Sequence, residues 1–487
     1  MPEDLYGAWC WPQSVLPGES LNLHASTPGP VHVLVTRQGG DDREVLTLQC
    51  NPGPQALPED AAESGCDWPA AISINTEHSW PSGFYRVDLE PEHGQVLHAF
   101  FVLRANKPGN LLFVLSTSTW AAYNHWGGPS FYTGGHHSSL QRPLPPGFLS
   151  KPDPTVWRLA RFYELSREAR RGFAADHSAW SMCAGWANQE LLFARWAETR
   201  GIQLDYATSE DLHQQGDALL NGYRAYVSVG HDEYWSAEMR DAVEAWVDAG
   251  GNAAFFSGNT SFWQIRYDSS NRIIAHKMAL ESDPVYGTGD AHRLSTMWSD
   301  PIVGRPENQM TGVSFTRGGY AHMMNAPKGS GGYTVWQPNH WAFDGIDLMT
   351  GDILGAEPVV VGYECDGCEL QLANGVPVPT GADGTPLNFQ VLGTAPAHLW
   401  ETAEGLAAGT SADVYVGELN WVAERIGGAD TPENRARFTN GRAVMGTFER
   451  GRGNVFTVGC TDWAYGLNDP AISQVTSNVL SRFAGNR

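Results

Sequence analysis

The residues best placed to do chemistry lie in the run Val227-Ser228-Val229-Gly230-His231-Asp232-Glu233-Tyr234-Trp235-Ser236, where an apolar stretch ends in polar and aromatic side chains and passes straight into a helix. In an open parallel sheet, ligands bind in the crevice outside the carboxyl ends of the strands, so this run has the position of an active site. His231 and Asp232 offer a proton shuttle there, although an Asp beside a helix amino terminus serves equally as a cap. Asn259, in Ser257-Gly258-Asn259, either donates to a developing oxyanion or takes the left-handed turn that the tripeptide invites. His340, in Pro338-Asn339-His340-Trp341, is a pocket-lining candidate set against an ordinary surface histidine. Cys183 precedes a helix and is either an activated thiolate or a buried inert cysteine, the second being the expectation.

The elements that position these residues follow from periodicity. Ser236 can cap a helix in which Met239, Val243, Trp246 and Val247 recur at helical spacing, and Gly250-Gly251 stops it. Upstream, the all-apolar Leu111–Leu115 suits a strand buried on both faces. A helix over 186–200, a strand over 202–206, a helix over 209–220, a strand over 224–229 and a strand over 252–257 continue the alternation. That order predicts an α/β fold, a doubly wound and mostly parallel sheet over 106–487. No Gly-x-Gly-x-x-Gly or Gly-x-x-x-x-Gly-Lys loop follows the first strand, which disfavours a nucleotide. Further strands are expected at 359–363, 412–416, 443–448 and 454–459, with a hairpin through Glu449–Gly453 and a closing helix over 471–483.

Before all this, residues 1–105 alternate as an all-β sandwich of the immunoglobulin type, with long loops between Arg37 and Trp80. An aromatic-rich insertion over 118–180, including Phe131 and Tyr132, supplies the wall or lid of the site, with Trp120, Tyr123, Asn124 and Trp126 as the substrate-binding candidates.

Composition narrows the partners. A formal net charge of -23 over 487 residues argues against nucleic acid and anionic membrane. No apolar run is long enough to span a bilayer, and Met1-Pro2-Glu3-Asp4 lacks the features of a signal peptide, so a cytoplasmic chain is expected. The sequence leaves a homo-oligomer open. Cys365-Asp366-Gly367-Cys368 is an isolated close pair without the second pair that a zinc ribbon needs. Nineteen tryptophans suggest aromatic-walled cavities.

Taken together, Thr119-Trp120-Ala121-Ala122-Tyr123-Asn124, Asp205-Tyr206-Ala207-Thr208, Gly230–Ser236, Phe256-Ser257-Gly258-Asn259-Thr260, Arg305-Pro306-Glu307-Asn308 and Thr461-Asp462-Trp463-Ala464-Tyr465-Gly466 resemble the large, catalytic subunit of N,N-dimethylformamidase and its relatives. The resemblance spans nearly the whole chain. It implies a glutamine-amidotransferase-like catalytic domain behind a β-sandwich, and one mononuclear ferric ion held by two tyrosines and a glutamate. The matching positions are Tyr206, Tyr234 and Glu307, with Tyr123 a competitor for the second tyrosine. Phenolate and carboxylate are hard donors suited to a hard trivalent ion. The implied activity is hydrolysis of a small N-substituted amide of the formamide type, with the metal as Lewis acid. Rivals are a glutamine-amidotransferase-like thiol hydrolase and a non-catalytic carbohydrate-binding protein.

Overall fold

In the computed structural model, residues 6–322, 326–400 and 418–485 are described. The alternating amino-terminal sequence builds two sheets. Gly7–Trp11, Ser20–Ser26 and Ala70–Asn75 form one; Ser14–Val15, Leu97–Leu103, Gly83–Pro91, Val31–Gln38 and Arg43–Cys50 form the other. Leu21, Leu23 and Ile74 from the first meet Val33, Val35, Val87, Leu89 and Phe101 from the second in one buried core. The stretch expected to be long loops therefore supplies two strands, Arg43–Cys50 and Ala70–Asn75, whose apolar residues pack onto that core.

The large sheet corrects the fold expectation. Its strands lie in the order Asp205–Thr208, Leu111–Leu115, Ala225–His231, Asn252–Gly258, Gly453–Thr457, Asn440–Arg450, Gln390–His398, Ser314–Tyr320 and Glu364–Gly367. Neighbours among the strands from Asp205–Thr208 to Gly453–Thr457 run parallel. From Gly453–Thr457 onward every neighbouring pair on this path is antiparallel. The sheet is mixed, so neither a doubly wound parallel α/β fold nor a glutamine-amidotransferase-like architecture describes it. The physical reason lies in the connections. A parallel neighbour needs a crossover of a dozen or more residues, usually helical, which the early strands have and the last pair of strands lacks. Asn440–Arg450 and Gly453–Thr457 are joined by Gly451 and Arg452 alone, which permits only a hairpin. Val359–Tyr363 is not a strand: Val359 sits in a turn at φ 56, and pairing begins at Glu364. The strand expected at 412–416 lies outside the described residues.

Helices form where capping and spacing require. Ser236 accepts from the Met239 amide and starts Ala237–Asp248. Thr208 and Asp211 make a reciprocal capping box at the start of Ser209–Gln215, and Gly216 at φ 47 breaks the expected longer helix before Asp217–Leu220. Among the described residues no helix is long and apolar enough to cross a membrane.

Sandwich strands and the large sheet meet through aromatic packing. Phe84 stacks on Trp186 with ring centroids 4.1 Å apart, and Phe84 and Phe100 both abut Trp120. Arg37 grips the Glu198 carboxylate with two nitrogens, at 2.8 and 2.7 Å. Phe84 is wholly buried in this seam. Phe84→Ala is expected to lower unfolding stability by about 3–5 kcal/mol, the usual cost of a cavity left by a core phenylalanine, as read from the urea midpoint.

Candidate active site

Near the end of the strand Ala225–His231 stands Gly230, whose φ of 78 and whose contact with Gln189 leave no room for a Cβ. The chain then leaves the sheet. Thr119 Oγ1 accepts from the Glu233 amide at 3.0 Å, and the Glu233 carbonyl accepts from the Trp263 amide at 3.0 Å. The backbone clamped in this way turns Glu233 inward.

Its carboxylate is the hub of a buried cluster. Tyr123 donates to Glu233 Oε2 at 3.1 Å, Tyr132 lies 2.9 Å from both carboxylate oxygens, and Trp263 Nε1 donates to Oε1 at 2.8 Å. The Tyr234 hydroxyl reaches the Tyr132 hydroxyl at 2.9 Å. His231 Nε2 lies 3.2 Å from Glu233 Oε2 and 2.7 Å from Glu364 Oε2, an ion-pair contact shared between two carboxylates. Its Nδ1 is 2.8 Å from the Cys183 carbonyl oxygen, so a donor is needed on both ring nitrogens. Asn259, at φ 47, places Nδ2 3.3 Å from Glu364 Oε2. Lys277 lays its ammonium 3.5 Å from the Tyr132 ring centroid and 5.0 Å from that of Trp263. Lys277 itself has φ 53, a left-handed conformation that costs a non-glycine residue about 1–3 kcal/mol and persists where the surroundings enforce it.

Electrostatics explain the protonation states. Burial opposes a charged His231, but Glu364 and Glu233 outweigh it and hold the imidazole well above its ordinary value. Burial likewise works against an ionised Glu233, and His231, Lys277 and Tyr132 reverse the balance, holding it below the usual carboxylate range. Burial lowers Lys277 to about 8 despite the carboxylates of Glu233, Glu418 and Glu364 around it. Burial first, and Glu233 second, push the phenols of Tyr123 and Tyr132 up. Phenols that keep their protons donate to the carboxylate, as the distances require.

Of the residues singled out in the sequence, His231, Asn259, Tyr123 and Tyr234 enter this cluster. Asp232 sits just behind it, accepting from Trp235 Nε1 at 2.9 Å and Ser228 Oγ at 2.7 Å. Trp120 faces the sandwich seam and donates to Glu190 at 3.2 Å. Asn124 and Trp126 shape the loop that follows: Asn124 Nδ2 donates to the Pro143 carbonyl at 2.9 Å, and Trp126 meets Trp68 edge-on. His340 caps a short turn by accepting from the Ala342 amide at 3.2 Å.

The three proposed metal ligands are not brought together. Tyr206 donates to Glu198 at 2.6 Å beside Arg37, Glu307 accepts from Ser299, and Tyr234 alone joins the cluster. Cys183 is buried, its sulfur 3.6 Å from the Tyr363 hydroxyl, and burial pushes its thiol up to about 12.

Sequence reasoning missed the roles of Glu233, Tyr132, Lys277 and Glu364. Glu233 stands two residues after His231 beyond a strand end, and that spacing was the available signal. An open cleft of about 690 Å³ lies elsewhere, lined by Gly7, Leu97, Trp126, Pro143, Pro146 and His177. It includes none of the cluster, and the convergent titratable groups mark the buried centre instead.

An enclosed acid–base centre at the carboxyl rim of a mixed sheet is the class that fold and geometry define. Comparison supplies the family. The model of the N,N-dimethylformamidase beta subunit-like, C-terminal family matches residues 33–477, and the chain belongs to that family. It is 24% identical over 464 residues to the N,N-dimethylformamidase beta subunit of Paracoccus aminophilus and, to the same extent, to that of Alcaligenes sp. Those alignments cover 86% of this chain and 54% of each relative, so the chain spans about half the length of the curated relatives it matches. The family read from the motifs is thus the family found, described by its beta subunit. A solved structure of T cell activation by the superantigen toxic shock syndrome toxin-1 overlaps 21% of the chain at 14% identity with a TM-score of 0.15, too slight to bear on the fold.

The cluster makes stability pH-dependent from both sides. The raised His231 value contributes stability that is complete below about 6.5 and is lost as pH rises through the folded value. Glu233, lowered, contributes above the ordinary glutamate value and loses that contribution as pH falls through its folded one. Glu364→Gln is expected to move His231 titration down toward its ordinary value, followed by NMR of the imidazole Cε1 proton; an unchanged His231 titration would contradict the pairing.

Proposed function

We propose that the chain hydrolyses the C–N bond of a small N-substituted amide of the formamide type, giving a carboxylate and an amine. The observation that carries this reading is the convergence of two phenols, an imidazolium and a lysine on the buried carboxylates Glu233 and Glu364, in a chain of the dimethylformamidase family. The rings of Trp180, beside Tyr123 and Tyr132, and of Trp263, facing Lys277, suit a substrate that is apolar apart from its amide.

A ferric ion bound by two tyrosines and a glutamate fits this chain at Tyr123, Tyr132 and Glu233. Both phenol oxygens lie within 3.1 Å of one carboxylate, so the three side chains offer hard oxygen donors, the type a hard cation prefers, at one place. Two carboxylates, with Glu418 a third facing Lys277, exceed the two nearby cations and favour a further positive charge. When bound, the ion supplies Lewis acidity toward the amide carbonyl.

The chain's own residues supply the proton chemistry. Glu364 takes a proton from the attacking water, whose oxygen bonds to the carbonyl carbon. His231 Nε2 gives its proton to the departing amine nitrogen as the C–N bond breaks, and is reprotonated by Glu364 across 2.7 Å. Asn259 holds Glu364 in position. Lys277, ionised below about 8, offsets the negative charge that develops.

A thiol mechanism is disfavoured because the Cys183 sulfur is protonated and faces Tyr363, and Cys183→Ala should keep turnover within about tenfold of wild type, far from the loss a covalent nucleophile gives.

The metal site predicts colour. Purified protein should absorb visible light through phenolate-to-iron charge transfer, and Tyr132→Phe and Tyr123→Phe should each lose the band and the iron while Tyr206→Phe keeps both. Iron-replete, colourless wild type, or colour kept in Tyr132→Phe and lost in Tyr206→Phe, would overturn the donor set.

A further inference from the structure

Two thiols outside the proposed machinery face each other beside Glu364. Cys365 and Cys460 are opposite residues on an isolated antiparallel bridge. Their sulfurs lie 3.7 Å apart, and both cysteines are free and fully buried. The backbone fixes this approach. The Asp366 amide donates to the Gly459 carbonyl at 3.0 Å, and two glycines allow the surrounding chains to close in. A Cβ on Gly318 would collide with the Cys365 carbonyl, and one on Gly258 with the backbone of Cys460 and Thr461.

A disulfide requires sulfurs about 2.05 Å apart, so the pair is short of bonding by a distance that side-chain rotation and a small backbone shift cover. Such a shift falls on the residue next to Glu364, whose carboxylate is placed 2.7 Å from His231 and 3.3 Å from Asn259. We propose that Cys365 and Cys460 are a reversible disulfide site, and that forming the bond displaces Glu364 and slows the reaction.

The oxidant is a peroxide or a small disulfide in the cell, and a diazene such as diamide in the test tube. With diamide, two S–H bonds break and one S–S bond forms, while two protons and two electrons convert the N=N bond to a hydrazine. Access comes through local opening. Glu364–Gly367 pairs with Ser314–Tyr320 through an irregular register and is buried along its length, so reaction waits on the opening of that pairing. Burial pushes the Cys365 thiol up, which keeps the closed form slow to react and the opening step in control.

The test treats the folded full-length chain with diamide, unfolds it, alkylates every remaining thiol with N-ethylmaleimide and weighs it. Two of the seven cysteines should escape alkylation, a Cys365–Cys460 linked peptide should be recovered, and dithiothreitol should restore full alkylation. Turnover of the oxidised chain should fall roughly tenfold to a hundredfold, the scale of an ångström-level misplacement, and return on reduction. Cys460→Ser should form no link and resist diamide, with its untreated turnover near wild type. Full alkylation after diamide, or a link between other cysteines, overturns the disulfide site. A Cys365–Cys460 link without loss of turnover overturns the displacement of Glu364. That second arm rests on the hydrolysis proposed above, whereas the thiol count does not, so the two failures are told apart.

Discussion

A buried carboxylate must be answered by charge or by donors, and Glu233 is answered by both. The desolvation penalty for an ion in a protein interior is several kcal/mol, and an opposite charge within about 3 Å returns a similar amount at an effective dielectric near 20. His231, Lys277, Tyr123, Tyr132 and Trp263 all contribute. No one of them can be removed without leaving a polar group exposed to an apolar interior. This requirement ties together segments that are remote in sequence: the insertion that carries Tyr123 and Tyr132, the strand end at His231, the strained turn at Lys277 and the antiparallel strand that begins at Glu364.

The mixed sheet is what makes that convergence possible. Its parallel half delivers His231 and Asn259 to one rim, from Ala225–His231 and from the residue after Asn252–Gly258. Its antiparallel half brings Glu364, paired with Tyr320 at the end of Ser314–Tyr320, to within 2.7 Å of His231.

Much of this was legible from the chain, and the limits are instructive. The parallel half was readable because strands such as Leu111–Leu115 are wholly apolar and the helix Ala237–Asp248 carries a clear cap at Ser236. The antiparallel half was not, because Val359-Val360-Val361 has a strand's composition but sits in a turn with Val359 at positive φ, an outcome of tertiary packing that no local pattern encodes. At the site, strand-end position singled out His231, Asn259 and Tyr234, and the structure places all three in one cluster. Tyr206, expected at the end of a strand over 202–206, is instead the second residue of Asp205–Thr208, and Glu198, held by Arg37, takes its hydroxyl in the seam with the sandwich. Glu307 accepts from Ser299 on one oxygen, while its other oxygen is buried without a partner. Which of several similar tyrosines and glutamates joins the cluster depends on three-dimensional partners, such as Arg37 holding Glu198 across 161 positions, that the local pattern does not encode.

The central claim is that Glu233, and not Glu307, organises the centre. Iron content measured on Glu233→Gln and Glu307→Gln, each with an unchanged far-ultraviolet spectrum and purified alongside wild type, tests it directly. The account predicts about one iron per chain in wild type and in Glu307→Gln, and a small fraction of that in Glu233→Gln, where a hard anionic donor is lost from the point at which both phenols converge. Full iron in Glu233→Gln together with its loss from Glu307→Gln would contradict it.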